Sequence, residues 1–119
     1  MGALQCSGSS IVTAVPAFVY RLIAPRPTFS VDMSDQERAT LAEHGAYWQK
    51  LMEDGKAVAF GPVHDPAGSY GLGLLIVDDI AEAEALRDAD PAILAPHGLR
   101  AEIAPMLRLV TPDGVYEAG

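Results

Sequence analysis

The chain has 119 residues, half of them hydrophobic and 20% charged, with a formal net charge of −8. This is one domain's worth of chain, long enough to bury a modest core and too apolar for a disordered segment. The surplus of acid, with basic residues scattered rather than gathered in a stripe, argues against nucleic acid as a partner.

Residues 1–15 read as a flexible arm, with Ser7, Gly8, Ser9 and Ser10 in a row. They lack the charged start and continuous apolar run of a signal peptide, and no stretch of the chain approaches the roughly 18 apolar residues of a membrane span. Cys6 is the only cysteine, which excludes an internal disulfide, a cysteine zinc site and an iron–sulfur cluster. The expectation is a cytoplasmic protein with no membrane partner.

Ala17 to Ile23, rich in aromatic and β-branched residues and stopped by Pro25 and Pro27, predicts the first strand. After a loop, Ser34-Asp35-Gln36-Glu37 has the form of a capping box and predicts a long helix from Asp35 to about Asp54, closed at Gly55. At about 100° per residue, Leu41, His44, Gly45, Trp48, Leu51 and Met52 share one stripe, so His44 points inward. Ala57–Val63 and Tyr70–Val77 predict an antiparallel hairpin around the turn Asp65-Pro66-Ala67-Gly68. Asp79 with Glu82 three residues on starts a second helix running to about Asp88. Asp90-Pro91 opens one more helical turn, closed near Gly98. A last strand is expected over Arg100–Val110, interrupted by Pro105, with loop from Pro112 onward.

The order strand, helix, strand, strand, helix, strand is the split βαβ pattern of ferredoxin-like folds, an α+β class with a four-stranded antiparallel sheet. Two helices cover one face of such a sheet. Yet Leu72-Gly73-Leu74-Leu75-Ile76-Val77 is apolar almost throughout, where a strand with one wet face alternates. The second face therefore needs a cover, and the expectation is a homodimer with sheets packed face to face.

Pro25-Arg26-Pro27-Thr28-Phe29, Asp32-Met33, Glu37, His44, Tyr47-Trp48, Gly55, Gly61-Pro62-Val63, Asp65-Pro66, Gly71-Leu72-Gly73 and Asp90-Pro91 together resemble the YciI-like, or YCII-related, family. The resemblance spans roughly residues 16 to 110, placing the family domain at 16–112 and a tail at 113–119. It implies a ferredoxin-like domain forming a dimeric α/β barrel, similar to muconolactone isomerases, with a His-Asp pair in a cleft. On this chain the pair is His44 and Asp90.

An imidazole can both take and return a proton near neutral pH, and an aspartate on one ring nitrogen fixes the tautomer of the other. His44 and Asp90 are thus the catalytic candidates. The alternative is a core histidine bonded to backbone, with Asp90 merely capping the turn at Pro91. Arg26, between two prolines, is a candidate to hold an anionic substrate group, or else a surface ion pair. Arg21, inside a strand, needs a partner or an exposed position. Tyr47, Trp48, Phe60 and Tyr70 are candidates to line a pocket for a small ring compound, or else ordinary core. His64 and His97 neighbour turns, lack a metal-binding spacing and are expected to be exposed. No metal or cofactor is expected. The function implied is a cofactor-free lyase or isomerase acting on a small cyclic or aromatic metabolite; the alternative is a non-catalytic small-ligand-binding or accessory protein using the same cleft.

Overall fold

The structure, a computed structural model, describes residues 12–118. The elements run β1 (Val12–Thr13), β2 (Ala17–Ile23), α1 (Phe29–Asp32), α2 (Asp35–Glu53), β3 (Ala57–Val63) and β4 (Tyr70–Ile76). They continue as α3 (Ile80–Asp88), α4 (Pro91–Leu94), β5 (Arg100–Pro105), β6 (Leu109–Thr111) and β7 (Gly114–Tyr116). The main sheet has the order β3-β4-β2-β5, antiparallel at every pairing. This is the ferredoxin-like α+β topology expected from the sequence. The arm expected over 1–15 lies, as far as residue 11, outside the described residues.

Alternation along the strands divides the sheet into two faces. Phe18, Tyr20 and Leu22 of β2 and Leu75 of β4 point toward the helices, where they form one buried cluster with Trp48 and Leu51 of α2 and Ala83 of α3. The opposite face carries Val19, Arg21 and Ile23 across from Leu74, Leu72 and Tyr70. Arg21 is exposed there and lays its guanidinium 4.4 Å from the centre of the Tyr70 ring, a cation–π contact that accounts for a charge inside a strand.

The long helix is closed at both ends by local chemistry. At its start the Glu37 amide donates to Ser34 Oγ (3.1 Å) and the Ser34 amide donates to Glu37 Oε1 (2.8 Å), the capping box expected. At its end Gly55 has φ 76°, the Gly55 amide donates to the Met52 carbonyl and the Lys56 amide to that of Leu51. That pair of bonds is the Schellman motif, and it requires a left-handed residue where the glycine stands.

Three features differ from the sequence reading. Residues 29–32 form the short helix α1 rather than loop, and Phe29 is buried. The last strand stops at Pro105 instead of continuing to Val110, because proline has no amide for the ladder. The chain then folds back as the hairpin β6–β7, not as loop, and β1 adds to it in parallel through Val115 and Tyr116. An Asp113-Gly114 step makes that hairpin: Thr111 Oγ1 accepts from both amides at 3.2 Å.

Arg26 braces the start of α2. Its guanidinium donates to both oxygens of Glu37 (2.8 and 3.0 Å), to Asp32 Oδ1 (2.8 Å) and to the Asp32 carbonyl (3.1 Å). These bonds from Arg26, followed by the Ser34 amide, pull the Glu37 carboxyl from the ordinary 4.5 down to about 2. A carboxyl lowered on folding stabilises the native state fully above its unfolded value, and that contribution disappears as pH falls through the folded one. Glu37→Gln is therefore expected to lower the thermal midpoint at neutral pH. The deficit relative to the parent should close between pH 4.5 and about 2, read by circular dichroism melts across that range.

Candidate functional site

Asp90 lies at the junction of α3 and α4, with no solvent exposure at all. Its local job is to cap α4: Oδ1 accepts from the Ala92 amide at 2.9 Å, and Pro91 fills the first helical position, which needs no amide donor. The same carboxylate then collects three side chains from elsewhere in the chain. The Tyr20 hydroxyl of β2 donates to Oδ2 at 2.8 Å and the Trp48 Nε1–H at 3.2 Å, while His44 Nδ1 lies 2.9 Å from both oxygens. The sequence reading offered a cap or a partner for His44, and Asp90 is both.

The charge balance explains the arrangement. Burial works against an ionised carboxylate, but the bonds and charge of His44, then the Ala92 amide and the Tyr20 hydroxyl, outweigh it and hold Asp90 below the ordinary carboxylate range. Burial also pushes the Tyr20 phenol up, and the charge of Asp90 adds to that, so Tyr20 stays protonated as a donor. Because a carboxylate only accepts, His44 Nδ1 must carry the proton. In the neutral ring the lone pair is then on Nε2, which has no hydrogen-bond partner among the described residues.

His44 and Trp48 stand one turn apart on α2 and so share a face. Trp48 is 1% exposed and lies with its ring edge directly on the sheet at Gly73. A Cβ added at Gly73 would sit 2.4 Å from the indole, so only glycine leaves room for it. Tyr20 packs edge-on to Trp48 with ring centres 4.9 Å apart, and Phe60 of β3 meets both Trp48 (5.9 Å) and His44 (6.5 Å).

These rings border a cavity of about 250 Å³ between α2, α1 and the β3–β4 edge. His44, Trp48 and Phe60 line it together with Phe29, Met33 and Leu41. The His44 side chain retains 14% exposure, so the imidazole is held but reachable. Mostly apolar walls, with His44 and a few uncharged hydroxyl side chains such as Ser30 and Ser69 among them, describe a small-molecule site.

Of the residues expected here, His44, Asp90, Trp48 and Phe60 come together. Tyr70 borders the cavity, but its ring lies on the far face of the sheet under Arg21. Tyr47 is elsewhere: its hydroxyl donates to the Leu86 carbonyl at 2.7 Å and ties α2 to α3. Arg26 does not line the cavity, because two carboxylates and a carbonyl engage its guanidinium; the ion-pair alternative is the one realised. His64 is exposed as expected, whereas His97 is half-buried with Nε2 3.1 Å from Thr40 Oγ1. Among the described residues no three His, Cys, Asp or Glu side chains gather as a metal ion would need. The participant missed in the sequence is Tyr20. Its signal was an inward-facing tyrosine in an apolar strand, whose hydroxyl has to find a partner.

Asp90 should thus be the most sensitive position in the core. Asp90→Ala leaves four donors without their acceptor, the Ala92 amide, the Tyr20 hydroxyl and the ring nitrogens of Trp48 and His44, and is expected to cost about 3–5 kcal/mol in urea unfolding. Tyr20→Phe, which removes one bond to the charge, should cost about 2 kcal/mol; a smaller loss for Asp90→Ala than for Tyr20→Phe would contradict this picture.

In comparison with known proteins, the family model of the YCII-related domain matches residues 17–107. A search of the curated proteins finds no match.

Proposed function

The chain belongs to the YCII-related domain family, and on that footing we propose that it is a cofactor-free lyase or isomerase in which His44 moves a proton on a small cyclic or aromatic metabolite. One observation carries the reading: an imidazole with Nδ1 tied to a buried carboxylate and its other nitrogen, unpartnered among the described residues, beside a mostly apolar cavity. Nε2 takes a proton from the carbon next to a substrate carbonyl, and the C–H electron pair passes into the enolate. Asp90 steadies the imidazolium so formed. Returning the proton to a different carbon of the enolate completes an isomerisation. Departure of a group from the β carbon with its bonding electrons completes an elimination instead.

A second reading is favoured by the scarcity of polar groups in the cavity, namely a non-catalytic protein that only binds such compounds. Proton exchange separates the two. In D2O the catalytic reading expects accelerated loss of the α-proton signals of small ring ketones by NMR, and His44→Ala should return the rate to background. Binding of those ketones with no acceleration by the parent protein would favour the second reading.

Self-association belongs to the same proposal. The sheet face away from the helices is apolar at Val19, Leu72 and Leu74, and Leu72 is 37% exposed. A second copy packed sheet to sheet would cover it, in keeping with the barrel that the family resemblance implies. A cytoplasmic setting goes with this reading, in line with a lone cysteine. Light scattering at micromolar concentration is expected to give the mass of a dimer, and a monomer's mass would refute it.

A further inference from the structure

We infer that the His44 cavity is built for uncharged ring compounds and discriminates against carboxylates, an inference that rests on reading the cavity as a small-molecule site. Among the described residues no lysine or arginine lines it. Arg26 and Arg21, the two basic residues the sequence offered for a substrate or an unexplained charge, are both engaged elsewhere. Arg26 gives four hydrogen bonds to Asp32 and Glu37, and Arg21 lies over Tyr70 on the opposite face of the sheet.

The polar groups around the cavity reinforce the point. Tyr20 and Trp48 have aimed their donors at Asp90, so neither is available to an anion. A protonated His44 does not help, because Asp90, 2.9 Å away, matches its charge and leaves the pair with no net positive charge. Beyond it the walls are chiefly apolar, among them Phe29, Met33, Leu41 and Phe60, and the serines that also line the cavity, Ser30 and Ser69, carry hydroxyls rather than a positive charge. An ionised carboxylate entering such a space would lose its water and meet no counter-charge, a far larger penalty than an uncharged carbonyl suffers.

Size narrows the class further. A dry apolar cavity of about 150 Å³ accepts benzene. The 250 Å³ here therefore suits a six-membered ring with a short substituent. The favoured ligand is a cyclic, uncharged carbonyl compound whose acidic carbon faces His44 Nε2.

Trp48 is the single tryptophan of the chain and lines the cavity, so its fluorescence reports occupancy. The full-length protein at pH 7 is titrated with cyclohexyl methyl ketone and, separately, with cyclohexanecarboxylate, a near-isosteric pair that differs in charge. Saturable change with the ketone, and binding of the carboxylate weaker by about tenfold or more, is the expected result. Equal or tighter binding of the carboxylate overturns the charge selectivity while leaving the cavity a small-molecule site. A Trp48 signal unmoved by either compound up to ~10 mM overturns the small-molecule reading as well.

Discussion

A carboxylate with no exposure to water has to be paid for in hydrogen bonds, and Asp90 obtains them from four directions. The Ala92 amide comes from its own helix, the Tyr20 hydroxyl from the central strand, and the Trp48 and His44 ring nitrogens from the long helix. An unpaired buried charge is among the costliest defects a core can hold, so none of these elements can shift without penalty. The packing of α2 on the sheet and the orientation of His44 are consequences of one ion's demand for partners. Function and fold meet in this group, since the bonds that make Asp90 tolerable also hold the imidazole in one tautomer.

The rest of the architecture keeps α2 in place for that purpose. Arg26 and Glu37 brace its start, Gly55 turns the chain at its end, and Gly73 clears the space in which Trp48 lies against the sheet. A side chain at residue 73 would push the indole away and with it the donor to Asp90. Because Tyr20 and Phe60 both pack against the indole, edge-on and tilted respectively, the cavity beside His44 has closely packed aromatic walls. A proton-transfer group in such a place works with little reorganisation of its surroundings.

Most of the fold was readable along the chain because its signals are local. Period-two and period-3.6 patterns, the Ser34–Glu37 box, Gly55 and the Asp79 and Asp90 caps depend on neighbours within about four residues. The helical stripe also showed that His44 faces inward. The β6–β7 hairpin escaped notice although Asp113-Gly114 is a turn signal, because each strand is three residues long and has no pattern of its own.

What the sequence by itself determined is the class, the order of the main strands and helices and the inward side of the long helix, all set by short-range sterics and hydrogen bonding. Only tertiary structure decided which polar groups meet. Tyr20 and Asp90 are 70 positions apart, and Arg26 had several acids within reach. A side chain long enough to point either to a cavity or to a neighbouring carboxylate is committed by three-dimensional packing, which no local pattern encodes.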